Sequence, residues 1–162
     1  MTSSTSMRHL ALAAQRERRP QVLLVEDDAG DRLLVRRAFS GDAVGADLCL
    51  IDDGDSALDH LLRCAAAAQG EPPARPDLVL LDLNLPGARG SQILEVARGD
   101  KRLQSMPIVV FSTSSRDRDI EESYRRGCNA YVVKPESAAG FIEVIRAVCH
   151  FWLRVVVLPH RA

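Results

Sequence analysis

Five short aliphatic runs, each followed by a stretch of helical period, leave this chain few folds to adopt. The runs are QVLLV (21–25), DLCLI (47–51), LVLL (78–81), PIVVF (107–111) and AYVV (130–133). Runs almost without polar alternation suit strands covered on both faces, the condition of a parallel sheet. Between them, DDAGDRLLVRRAF offers Asp28 as N-cap and Asp31 in the first turn, with Leu34, Val35, Ala38 and Phe39 on one face. DGDSALDHLLRCAAAA (53–68) is a second helix, and QGEPPARP (69–76) is a loop by composition. Residues 91–98 form a short helix closed by Gly99. Residues 117–126 form a fourth, with Glu121 and Glu122 four residues before Arg125 and Arg126 and a stop at Gly127. The last helix starts at Ser137. Five such units in series predict an α/β fold, a doubly wound five-stranded parallel sheet with helices on both faces. Ligands of such sheets sit beyond the carboxyl ends of the strands.

The 162 residues suit one domain with a single good core. Acids and bases nearly balance, 22 against 21, so no global field draws nucleic acid or an anionic membrane. Residues 1–19 read as a mobile, basic-ended tail, too weakly apolar for a signal peptide, and the fold starts after Pro20. No run of 18 uncharged apolar residues occurs, so no membrane span is expected and the cytoplasm is the expected location. Cys49, Cys64, Cys128 and Cys149 lack metal-ligand spacing and sit in or beside apolar runs, as core or near-core thiols of a reducing compartment do.

Asp82 is the odd residue in DLVLLDLNLP (77–86), because a carboxylate ending a buried strand is costly unless a cation, a partner or water meets it. Parallel strands would bring Glu26 and Asp27, Asp82, Ser112 and Thr113, and Lys134 with Pro135 to the same edge. Three carboxylates with a lysine and a hydroxyl form an oxygen-rich cluster suited to a hard cation such as Mg²⁺. A carboxylate can also accept a phosphoryl group to form an acyl phosphate, given neutralised charge and in-line attack. Asp82 then reads as acceptor, Asp27 as direct metal ligand, Glu26 as ligand through water, and Asn84 as donor of its backbone carbonyl to the metal. Lys134 and Ser112 would hold the phosphoryl oxygens. An aspartate-nucleophile phosphatase would need a second acid where Asn84 stands. A nucleotide or flavin binder would need a glycine-rich phosphate loop after a strand, and none is present.

The motifs LLVEDD (23–28), LVLLDLNLPG (78–87), PIVVFSTS (107–114) and GCNAYVVKP (127–135) together resemble a response-regulator receiver domain over about residues 20–150. The resemblance implies a flavodoxin-like (βα)₅ fold with strand order 2-1-3-4-5. It also implies transfer from a phosphohistidine of a partner sensor histidine kinase to Asp82, with slow autodephosphorylation. Tyr131, three residues before Lys134, takes the place of an aromatic switch working with Ser112 on the fourth helix, fifth strand and fifth helix. EDDAGDRLLVRRAF, DLNLPGARG and FWLRVVVLP are similar to single-domain regulators paired with bacteriophytochrome kinases. Ser112 in place of threonine, Thr113 in place of a small residue, Arg89 before Gly90 and Glu136 after Pro135 depart from the common pattern. None of the four histidines lies in these motifs and no kinase core is present, so a partner must supply the phosphoryl group. The competing reading is a receiver-like binding module that works without phosphate; such modules usually lack an acid or the lysine.

In SAAGFIEVIRAVCHFWLRVVVLP (137–159) only Glu143, Arg146, His150 and Arg154 form a polar stripe. Such a helix needs burial on more than its own sheet. Phe151, Trp152, Leu153 and residues 155–158 would leave a large apolar patch, so residues 151–162 are expected to form a homodimer with the last helix. The β-branched run 155–157 leaves open whether this extension is helix or extended arm.

Overall fold

A computed structural model describes residues 18–67 and 72–159. The expected tail, apart from Arg18 and Arg19, and the last three residues of the extension lie outside the described residues. The five runs form β1 (Gln21–Val25), β2 (Asp47–Ile51), β3 (Leu78–Leu81), β4 (Ile108–Ser112) and β5 (Ala130–Val133). They make one sheet in the order β2-β1-β3-β4-β5, and every neighbouring pair is parallel. The helices are α1 (Ala29–Phe39), α2 (Gly54–Ala66), α3 (Gly90–Gly99), α4 (Asp117–Arg125) and α5 (Ala138–His150).

The two-residue period of a strand explains the continuous apolar runs. Val22, Leu24, Leu78, Leu80, Val109 and Phe111 face one core with Val35 and Ala38 of α1 and Phe141, Ile145 and Cys149 of α5. The alternate residues Leu23, Val25, Val79, Leu81, Ile108 and Val110 face the other, with Ala57 and Leu61 of α2 and Ile93 and Leu94 of α3. Both faces are thus dry, and the sheet has no polar side to expose. Of the four cysteines, Cys64, Cys128 and Cys149 are buried and Cys49 is half-buried. No helix among the described residues is long and apolar enough to cross a membrane.

Helix starts follow the sequence. The side chains of Asp28, Asp53 and Ser137 accept backbone N–H bonds from Asp31, Ser56 and Gly140. One stop does not. Gly99 is the last helical residue of α3, and extended Asp100 ends the helix with its N–H on Val96 O. The left-handed glycine stop occurs at Gly127, with φ +93°, as expected after α4.

The end of the chain combines both forms left open by the sequence. After α5 the helix widens into a π turn, Phe151–Val155, closed by Val156 N–H on Phe151 O at 2.9 Å, and Val156 is extended. Leu153 is buried, while Phe151, Val155 and Val157 are about half exposed. The arginines of the polar stripe turn toward α1 and the loop after it. Arg146 donates to Ala38 O at 3.0 Å, and Arg154 reaches Gly45 O at 3.5 Å.

Candidate functional site

Backbone pairing carries each strand one residue past its end and so fixes the site. Glu26 N–H donates to Ile51 O, Asp82 N–H to Val25 O and Lys134 N–H to Ser112 O, all within 3.0 Å. Parallel strands that start in register therefore deliver Glu26, Asp82 and Lys134 to one edge. Glu26, Asp82, Ser112 and Lys134 are all buried there, and Asp27 is exposed at the rim.

Lys134 spans the cleft. Its Nζ passes 5.9 Å from the centroid of the Phe111 ring and donates to Glu26 Oε2 at 2.5 Å, Asp31 Oδ2 at 2.8 Å and Asp82 Oδ2 at 3.2 Å. The other Glu26 oxygen accepts the Asp28 N–H at 3.1 Å, and Asp82 Oδ1 accepts the Asn84 N–H at 3.3 Å. Arg32 donates to the backbone carbonyls of Glu26 and Asp27, which holds the turn into α1. One carboxylate oxygen each of Glu26, Asp27 and Asp82 lie within 4.8 Å of one another, and this is the one such cluster among the described residues.

The electrostatics follow from burial and crowding. Burial pushes Glu26 up to about 7, against the lowering effect of Lys134, and the Asp82 charge adds to the rise. Burial alone would lower Lys134; its hydrogen bonds to Asp31 and Glu26 and the charge of Asp82 outweigh it and hold the ammonium above its usual value. One cation among this many acids leaves an excess of negative charge. An all-oxygen donor set with that excess suits a hard divalent cation, so the residues present fit Mg²⁺.

The loop after Asp82 is held by contacts that tolerate only glycine. A Cβ on Gly90 would lie 2.4 Å from Asp82 O and 2.8 Å from Leu83 Cα, and one on Gly54 would lie 1.6 Å from Ala88 O. Asp55 Oδ1 accepts the Ala88 N–H at 3.1 Å, and Gln92 Oε1 accepts the Arg89 N–H at 2.7 Å. The N-termini of α2 and α3 thus clamp residues 83–89, which carry Asn84.

The structure brings Glu26, Asp27, Asp82 and Lys134 together as the sequence predicts. Ser112 is buried at the end of β4, its Oγ accepting the Ser114 N–H at 3.2 Å. Tyr131 is half-buried, and its hydroxyl donates to Ser114 O at 2.9 Å. Ser112 and Tyr131 therefore meet through Ser114, whose Oγ also donates to Asp119 of α4 at 2.5 Å. Sequence reasoning missed this junction, for FSTSS offers four hydroxyl residues and nothing in it singles out Ser114. It also missed Asp31 as a lysine partner. The available signal was its place in the first turn of α1, where a side chain points back toward the strand ends.

A profile of the response regulator receiver domain matches residues 22–146. Response regulator Rcp1 of Synechocystis is 32% identical over 138 residues, covering 85% of this chain and 92% of that one. A crystal structure of the phosphorylated cyanobacterial phytochrome response regulator RcpA is 31% identical, with a TM-score of 0.80, over 88% of this chain and all of the other. The Mn²⁺-bound form of Rcp1 gives 31% identity and a TM-score of 0.77 over 87% of this chain and 99% of the other.

Proposed function

The chain belongs to the response regulator receiver domain family, and from that premise we propose that it accepts a phosphoryl group on Asp82 from a partner sensor histidine kinase. Residues 20–150 form the receiver unit in this reading, and its place of work is the cytoplasm. The observation that carries it is Asp82 itself, buried at the end of β3 with the Lys134 ammonium and two further acids beside it. A carboxylate oxygen of Asp82 attacks phosphorus in line, and the N–P bond of the donor histidine breaks. The imidazole nitrogen keeps the electron pair and takes up a proton. Lys134 meets the charge of the transferred group, and the Ser112 hydroxyl turns toward it.

Asp27, Asp82 and the Asn84 backbone carbonyl would hold Mg²⁺, with Glu26 acting through a water. When bound, the ion supplies positive charge against the phosphoryl oxygens. Movement of Ser112 disturbs Ser114, and through it the Tyr131 hydroxyl and Asp119, so α4, β5 and α5 change shape together. Slow hydrolysis of the acyl phosphate by Asp82's own site resets the protein.

The similarity to Rcp1 and RcpA supports a bacteriophytochrome as the kinase partner. The half-exposed Phe151, Val155 and Val157 support a homodimer through α5 and residues 151–162. The complete set of acids with the lysine speaks against a phosphate-independent binding module.

Intact mass after treatment with acetyl phosphate and Mg²⁺ tests the central step. The wild type is expected to gain one phosphoryl group, about 80 Da, that hydroxylamine removes, while Asp82→Asn gains none, as an acyl phosphate on this residue requires. No gain in the wild type would overturn the assignment.

A further inference from the structure

The ammonium of Lys134 is fully engaged before any phosphoryl group arrives. A protonated lysine has three N–H donors, and three carboxylates take them, Glu26 at 2.5 Å, Asp31 at 2.8 Å and Asp82 at 3.2 Å. The longest of the three goes to the proposed acceptor. Lys134 leaves the end of β5, on one side of β3, whereas Glu26 and Asp31 belong to β1 and α1 on the other. The head group is therefore drawn across the cleft, past Asp82, toward α1.

The N–H that reaches Asp82 can pass to a phosphoryl oxygen carried there, but it is the longest of the three, and drawing the ammonium fully onto the new dianion means loosening its hold on Glu26 or Asp31. The Glu26 side chain is 2% exposed and belongs to the acidic trio; that of Asp31 is 23% exposed and does not. Freed from the ammonium, Asp31 still has water to solvate it, whereas Glu26 would be left buried with no cation and only the Asp28 N–H to meet it. The Asp31 charge also repels an incoming dianion at short range.

We propose that Asp31 is a positioning residue, holding Lys134 on the α1 side of the cleft and competing with the phosphoryl group for its ammonium. This rests on the reading of Asp82 as acceptor. Asp31 thereby sets how strongly the site favours the phosphorylated state, and it couples the first turn of α1 to that state.

Trifluoroberyllate, which occupies the place of a phosphoryl group on a carboxylate, provides a binding readout independent of turnover. Its affinity in the presence of Mg²⁺ is measured by ¹⁹F NMR for wild type, Asp31→Asn and Asp31→Glu. Asp31→Asn keeps the shape and removes the charge, and is expected to bind about fivefold more tightly, a modest share of the interaction between close charges near a protein surface. Asp31→Glu restores the charge and is expected to bind like the wild type. A purely structural role for Asp31 at the α1 N-terminus would lower the melting temperature and leave the affinity alone. Unchanged or weaker binding in Asp31→Asn overturns the proposal, and Asp31→Ser serves as the same test if the asparagine variant folds poorly. A wild type that takes up the acetyl phosphate mass while Asp31→Asn shows no tightening overturns this inference only. A wild type that neither gains the mass nor binds trifluoroberyllate overturns the acceptor reading.

Discussion

Cys149 lies on α5 in the core shared with α1, 1% exposed, and burial alone pushes its thiol up to about 12. Lys134 is nearly as enclosed, yet its carboxylate partners keep it charged. The two side chains differ because a buried charge persists only where opposite charge and hydrogen bonds meet it. For Cys149 the sign follows directly. Its folded value is raised above the ordinary one near 9, so its contribution to stability is complete below pH 9 and declines as pH climbs toward 12. Urea unfolding between pH 9 and 11 is expected to lose about 1.4 kcal/mol per pH unit from this thiol. Cys149→Ala, less stable at pH 8 because of its cavity, should show a correspondingly shallower slope. Equal slopes in the two proteins would contradict the assignment.

Among the helices, α3 does most to shape the site without contributing a side chain to it. Its first residue, Gly90, packs against Asp82 O and Leu83 Cα, and its N–H donates to Leu83 O at 3.2 Å. Its far end is held by Arg98, which donates to Gly127 O, Met106 O and Asn129 Oδ1 and so ties α3 to the starts of β4 and β5. A helix fixed at both ends cannot yield to a methyl group at Gly90. Gly90→Ala is therefore expected to cost about 2–3 kcal/mol, in the range of a backbone overlap in a packed site. The same variant should slow acetyl phosphate labelling of Asp82 by displacing the loop that carries Asn84. Chemical denaturation and the mass assay read the two effects separately. By contrast α4 has one buried residue, Ser123, so it is the helix with least packing to hold it when Ser114 and Asp119 move.

At the scale of the molecule, two dry cores on either side of one sheet leave the C-terminal extension as the unsatisfied apolar element. Leu153 reaches the core beside α1 and α5, but Phe151, Val155 and Val157 do not. Phe151 stacks edge-on against Trp152, with ring centroids 5.6 Å apart, and so presents a rigid apolar ridge. A second copy of the same ridge is the proposed cover. Sedimentation at tens of micromolar is expected to give a dimer for the wild type and a monomer for the double variant Phe151→Asp, Val155→Asp. The exposure of both positions means the fold should survive. A monomeric wild type would sink the dimer.

The strands, most helix starts and the parallel sheet were legible in the sequence because they rest on local signals: apolar runs, N-capping residues and five alternating units. The strand order followed instead from the resemblance of the motifs to receiver domains. Gly99 was misread for the same reason, since a glycine after a helical pattern suggests a left-handed stop, and only the backbone reveals the extended Asp100 that ends α3. The conjunction of Glu26, Asp27, Asp82 and Lys134 was also legible, because parallel strands necessarily deliver their carboxyl ends to one edge. What a side chain meets once it leaves that edge was not. Lys134 lies 103 positions from Asp31 and passes over Phe111 before reaching it, and the Tyr131 hydroxyl finds the backbone carbonyl of Ser114. Such meetings depend on the twist of the sheet, the tilt of each helix and the competition for space in a packed interior, all properties of the assembled whole. The sequence determined which residues stand at the strand ends; the tertiary structure decided which carboxylates share the lysine, because that sharing is settled across four strands at once.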